Sequence, residues 1–146
     1  MVENDNEFRH FFSNKEEVSK IPPAEIYRAW KLRILTSDEL VSLSQRDMMV
    51  YFASWGLLAP TTHNSIPQKF RINGTNLDLL LDRSLVLPVS DRDGRQATIS
   101  MGCVAENVLQ AVSAYGLKTN LQFPDVGYEA VKPVKGDSPH DNLIKL

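Results

Sequence analysis

Lys69-Phe70-Arg71-Ile72-Asn73-Gly74-Thr75-Asn76-Leu77-Asp78-Leu79-Leu80-Leu81 is the stretch that decides the architecture of this 146-residue chain. Polar and apolar residues alternate from Lys69 to Ile72, and Leu77, Leu79 and Leu81 alternate on the return. Period two is the spacing at which successive side chains point to opposite faces of a strand. Between the two runs, Asn73-Gly74 is the pair preferred at the centre of a type I′ turn, where both residues need positive φ. The stretch therefore predicts an antiparallel β-hairpin.

Two helix starts lie upstream of the hairpin. Thr36 and Glu39 have the spacing of a capping box, opening a helix through Leu40, Val41 and Leu43. Ser44 and Asp47 repeat that spacing and predict a second helix over residues 45–58. Its face carries Met48, Met49, Phe52, Ala53, Gly56 and Leu57. Pro60 ends it, and residues 61–67 read as a polar loop. Farther upstream, Ile26, Trp30 and Ile34 recur every fourth residue with Leu35 alongside, which predicts a helical face over residues 24–35. Phe8, Phe11 and Phe12 fit one short helical face before the break at Pro22-Pro23. Residues 1–35 are thus expected to form an arm, packed on a body of residues 36–146 or on a partner.

Downstream, residues 83–93 are irregular. Asp93 and Gln96 have N-cap and N3 spacing, for a helix that reaches Tyr115 with Gly116 as its C′ residue. Met101, Val104, Ala105, Val108, Ala111, Val112 and Tyr115 make its apolar stripe. Leu117, Thr119, Leu121 and Phe123 alternate as a strand would, and residues 128–134 and 142–146 are two further strand candidates. Helix, helix, hairpin, helix, strands is an α+β order, with a mixed, largely antiparallel sheet packed by helices. It is not the order of a doubly wound fold.

Composition narrows the function classes. With 16 basic and 18 acidic residues the net charge is −2, which argues against a basic nucleic-acid-binding surface. At 42% hydrophobic residues the chain has the means for a core rather than a disordered tail. The longest clearly apolar run, residues 48–53, falls far short of the ~20 residues that span a bilayer. The opening Met-Val-Glu-Asn-Asp-Asn-Glu is acidic where a signal peptide is basic, and Cys103 alone forms no internal disulfide. A cytoplasmic protein with no membrane and no nucleic-acid partner is expected.

The common catalytic motifs are missing. There is no P-loop, no G-x-G-x-x-G, no C-x-x-C and no H-E-x-x-H. His10, His63 and His140 are scattered, so no metal site is expected. Asp91-Arg92-Asp93-Gly94 fails as a calcium loop, because the register puts Val89 at the first ligand and Ser100 where a bidentate Glu belongs. Ser138, His140 and Asp141 lie nearly side by side, which is not how a triad is assembled. Cys103, in an apolar helix, reads as a buried structural thiol. One polar segment stands out: Pro60-Thr61-Thr62-His63-Asn64-Ser65 concentrates hydroxyls, an imidazole and an amide between a helix and a strand. Such groups bind a polar heteroaromatic ring or a phosphate without adding net charge, and they equally make an ordinary capped turn.

That segment extends into a longer resemblance. Leu58-Ala59-Pro60-Thr61-Thr62-His63-Asn64-Ser65-Ile66-Pro67-Gln68-Lys69-Phe70 resembles the LAPSxHNxQPWxF run of FMN-dependent nitroreductases. A second block resembles the Acg-like branch of that family. It comprises Asp82-Arg83-Ser84, Leu87-Pro88-Val89, Asp91-Arg92-Asp93-Gly94-Arg95, Ile99-Ser100-Met101-Gly102 and Glu106-Asn107. The match covers residues 48–117 and, more loosely, continues to residue 146.

The resemblance implies a nitroreductase-like α+β fold completed by pairing into a homodimer. It also implies an FMN site contacted by Pro60, Thr61, Thr62 and Asn64 with His63 adjacent, and NAD(P)H as electron donor. No catalytic side chain is implied, since the chemistry is the flavin's. Two departures stand out. The family's Gln-Pro-Trp is Ile66-Pro67-Gln68 here, and its N-terminal arginine run has no clear match, with Arg28, Lys31 and Arg33 as weak substitutes for its phosphate grip. The resemblance also implies that the chain corresponds to the N-terminal half of a longer flavin fold. Three readings follow. One is an FMN-dependent oxidoreductase passing electrons from NAD(P)H to a nitro or quinone-type acceptor. Another is a flavin-binding or sequestering module without turnover, and the third is a structural half-domain that binds no flavin.

Overall fold

The computed structural model describes residues 12–13, 32–123, 131–133 and 143–145. Its elements are β1 (Phe12–Ser13), α1 (Ser37–Ser42), α2 (Gln45–Gly56), β2 (Gln68–Asn73), β3 (Asn76–Asp82), α3 (Arg95–Ala114) and β4 (Leu143–Lys145). Single 3₁₀ turns at Thr62–Asn64 and Arg83–Leu85 flank the hairpin. The strands form one sheet in the order β1-β2-β3-β4. β1 runs parallel to β2, while β2–β3 and β3–β4 are antiparallel. The α+β class and the mixed, largely antiparallel sheet are those the sequence predicts.

Local chemistry explains the helix starts. At α1 the capping box is complete: Glu39 N–H donates to Thr36 Oγ1 (3.3 Å) and Thr36 N–H donates to Glu39 Oε2 (2.8 Å). α2 opens on Ser44, whose Oγ accepts from Asp47 N–H at 3.1 Å. It ends at Gly56, two residues before the predicted limit. α3 begins at Arg95 rather than beside an Asp93 cap. The N-cap is Gly94 in the left-handed region (φ 70), and the buried carboxylate of Asp91 reaches across. It accepts from Gln96 N–H (2.9 Å) and Ala97 N–H (2.8 Å), two donors left orphaned at a helix start. Gly94 has a second reason to be glycine, since a Cβ there would lie 2.3 Å from the Val131 carbonyl oxygen. At the other end Gly116 takes φ 68, as a C′ residue does.

The hairpin forms with its turn one residue later than predicted. Asn73 pairs with Asn76, so the loop is Gly74-Thr75, and only Gly74 has positive φ. Positive φ at the first central position alone is the II′ pattern, not I′. Phe70, opposite Leu79, faces the helices, whereas Lys69 and Leu80 lie on the other face. Both are buried, at 3% and 2% exposure, so this end of the sheet is covered on both faces.

α3 is the spine of the core. Val112 joins Leu35, Leu40, Tyr51 and Phe52 at one end. Val104 packs with Ala53, Ala59 and Phe70 midway, and Ala97 and Met101 meet Leu81, Val86 and Val131 at the other end. Gly56 lets α2 come close: a Cβ there would sit 2.9 Å from Phe70 Cζ and 3.0 Å from Val108 Cγ2. Cys103 is half-buried beside the middle cluster rather than fully enclosed.

Three further expectations fail. Residues 117–123 form no strand, and Leu117, Leu121 and Phe123 are exposed; alternation makes a strand only where another strand offers hydrogen bonds. Residues 131–133 are likewise not strand, whereas β4 appears within the predicted residues 142–146. Residues 32–36 are not helical, although Leu35 is buried as its pattern implied. The positions of Phe8, Phe11, Ile26, Arg28, Trp30, Lys31, His10, Ser138, His140 and Asp141 lie outside the described residues. Among the described residues, no helix is long and apolar enough to cross a membrane.

Candidate functional site

The polar loop between α2 and β2 is held in a conformation its side chains disfavour. Thr61 is extended (φ −126, ψ 153), and Thr62–Asn64 make one 3₁₀ turn. His63, Asn64 and Ile66 then adopt φ of 49°, 54° and 50°. Asn and His visit this region more readily than most residues, but a β-branched Ile there is an outlier. Such residues cost about 1–3 kcal/mol each and persist only where their surroundings over-determine them.

The surroundings do so here. Asn64 N–H donates to the Thr61 carbonyl (2.9 Å) and Ser65 N–H to that of Thr62 (3.0 Å). Ile66 N–H donates to Thr61 Oγ1 at 3.2 Å, closing the loop on itself. Thr62 N–H donates to Ser100 Oγ on α3 at 3.2 Å. On the β2 side, Ile66, Pro67 and Gln68 are all buried, and Asp82 N–H donates to the Pro67 carbonyl at 2.7 Å. The loop is thus anchored to α3 on one side and to β3 on the other.

The candidate residues fall together on this loop. Pro60, His63 and Asn64 are exposed, while Thr61 and Thr62 are half-buried. Their groups amount to two hydroxyls, an imidazole and a carboxamide, donors and acceptors without net charge. Arg33 is not among them: its guanidinium is paired with Glu39 at 2.9 Å. Gln68, beside the loop, is 1% exposed on the sheet face shared with Phe70, and its Oε1 has no hydrogen-bond partner among the described residues. Among the described residues, no group of three or more His, Cys, Asp or Glu is placed to hold a metal.

Ser100 is the residue that sequence reasoning left out of the site. The signal was present, since a serine stands on the helix face that carries Ala97, Met101 and Val104, where a buried polar group needs partners.

Fold and loop together define an α+β protein with a strained, firmly pinned polar loop at the junction of helix and sheet. No family model matches the chain, and no solved structure matches it significantly. Over 68 residues it is 34% identical to the "Putative NAD(P)H nitroreductase acg" of Mycobacterium tuberculosis strain CDC 1551 / Oshkosh, and equally to that of strain ATCC 25618 / H37Rv. The aligned stretch is 46% of this chain and 20% of each relative, so the chain spans about a fifth of the length of the curated relatives it matches. The nitroreductase resemblance therefore holds over a partial segment.

Proposed function

We propose that the chain carries the flavin-contacting loop of an FMN-dependent oxidoreductase. In this reading it adopts a nitroreductase-like fold, works as a homodimer and passes electrons from NAD(P)H to a nitro or quinone-type acceptor. The observation that carries the reading is the loop itself: three non-glycine residues at positive φ, pinned from both sides, with His63 and Asn64 exposed. Strain maintained at that density is a feature of binding sites. The partial likeness to NAD(P)H nitroreductases agrees with it.

The polar groups fit a planar heteroaromatic ring. Pro60, Thr61, Thr62 and Asn64 would contact it, and His63 would stand beside it. FMN, when bound, supplies the redox chemistry, accepting hydride from a nicotinamide and delivering electrons to the acceptor. The protein's part is to bind and orient: the Asn64 carboxamide supplies a hydrogen bond to the ring, and the anchored backbone holds that amide in place. Since Glu39 engages Arg33, the cation for the phosphate would come from elsewhere, and a second copy of the chain is the proposed source.

A visible absorbance spectrum of the purified protein, taken with its mass in solution, tests this. Flavin bands, a dimer mass, and NAD(P)H oxidation on adding nitrofurazone or a quinone are expected. Colourless protein that cannot be reconstituted with FMN would sink the reading.

Gln68 favours a second reading, a flavin-binding or sequestering module without turnover. Its amide is buried within the sheet, and the family's glutamine position is Ile66 here, itself buried. Flavin binding without NAD(P)H oxidation would select this alternative. The exposed Leu117, Leu121 and Phe123 suit the third reading, a half-domain that associates with another chain and binds no flavin.

A further inference from the structure

We infer that Ser100 is the positioning residue of the loop, fixing Thr62 both through its backbone and through the direction of its hydroxyl. The inference rests on reading the loop as a flavin-contacting element.

Ser100 is 4% exposed, and its Oγ makes three contacts. The Gln96 carbonyl lies at 2.9 Å, Thr62 N at 3.2 Å and Thr62 Oγ1 at 3.4 Å. A serine hydroxyl has one proton and two lone pairs. The Gln96 carbonyl can only accept, so it takes the Ser100 proton. Both remaining contacts must then be accepted by Ser100 Oγ, one from the Thr62 N–H and one from the Thr62 hydroxyl. The arrangement uses every lone pair and proton of Ser100 once.

Thr62 opens the 3₁₀ turn, directly before the chain enters the left-handed region at His63. Holding its N–H to a rigid helix sets the direction in which His63 and Asn64 leave. Committing its hydroxyl proton inward means that Thr62 Oγ1 meets a ligand as an acceptor. Ser100 touches no ligand in this scheme and acts through Thr62.

The test uses the full chain as wild type, Ser100→Ala and Ser100→Thr, read by amide hydrogen exchange and by FMN fluorescence titration. In Ser100→Ala, exchange at the Thr62 amide should quicken about tenfold and FMN affinity should fall by about the same factor, as for one lost hydrogen bond. Amides of α2 and β3 should keep wild-type rates. Ser100→Thr retains the acceptor and should restore both values. Wild-type exchange at Thr62 in Ser100→Ala, or acceleration spread evenly over α2 and β3, overturns the assignment. If the wild-type chain binds no FMN, the functional reading fails separately, and exchange at Thr62 alone decides the role of Ser100.

Discussion

The hydroxyls of Tyr51 and Tyr115 lie 2.8 Å apart and close a ring of hydrogen bonds around the backbone of Leu35. Tyr115 donates to the Leu35 carbonyl (2.8 Å), and Leu35 N–H donates to Tyr51 (3.3 Å). The shared bond must therefore run from Tyr51 to Tyr115, so that each hydroxyl donates once and accepts once. Tyr51 of α2 and Tyr115, the C-cap residue of α3, thus clip the chain entering α1 onto the body.

Tyr115→Phe should destabilise the fold by about 1–3 kcal/mol, because it leaves the Leu35 carbonyl without its donor and the Tyr51 O–H proton without its acceptor. Urea unfolding should show a lower midpoint at unchanged slope. An unaltered midpoint would remove the clip from the account of stability.

Burial pushes the Tyr115 hydroxyl up to about 12 from the ordinary 10.0. The raised value means that the neutral form is favoured in the folded state. Its stabilisation is complete below pH 10 and is lost as pH rises from 10 to 12. Tyrosinate absorbance should report one late-titrating tyrosine, with unfolding becoming easier across that window.

Glu39 behaves in the opposite sense. Its bond from the Thr36 N–H, with the Arg33 guanidinium second, holds the carboxyl down at about 2 from the ordinary 4.5. The stabilisation is present above pH 4.5 and fades as pH falls toward 2. Side-chain NMR titration should show Glu39 protonating late as pH falls, and Arg33→Ala should move it part of the way back toward an ordinary carboxylate.

Gly56→Ala should cost about 1–3 kcal/mol through overpacking against Phe70, Val104 and Val108. Gly102→Ala, with nothing within 4 Å, is the matched control and should not destabilise. Thermal unfolding of the pair separates close approach from any general effect of losing a helical glycine.

Asn64→Ala removes the proposed ring-facing amide and should weaken FMN binding by about 0.5–1.5 kcal/mol, read by fluorescence titration. It should not stabilise the loop, because alanine tolerates φ 54 less well than asparagine. Unchanged affinity would remove Asn64 from the site.

Features encoded by near neighbours were legible in the sequence. The Thr36–Glu39 box, the Ser44 cap, the hairpin and the long α3 stripe each depend on residues within a few positions. Features that depend on distant partners were not. Asp91 displaced Asp93 as the α3 cap because the chain before the helix curls back over its own start. Residues 117–123 carry a strand pattern that meets no strand. The turn slipped from Asn73-Gly74 to Gly74-Thr75 because pairing of Gln68 with Leu81 sets the register from the closed end. At the site, the polar residues of the loop were readable. The positive φ of Ile66 was not, since nothing in an isoleucine announces it. Ser100's part became visible only once α3 and the loop were seen in contact.

The sheet has a local centre and distant margins. β2 and β3 are joined by two residues, whereas Phe12 pairs with Phe70 and Lys145 with Leu80. Closing those long intervals costs chain entropy before any pairing compensates for it. The hairpin with α2 and α3 can therefore condense first as a nucleus, leaving its two flanks open until the chain's remote segments arrive. During that interval the molecule is most exposed to pairing with strands other than its own.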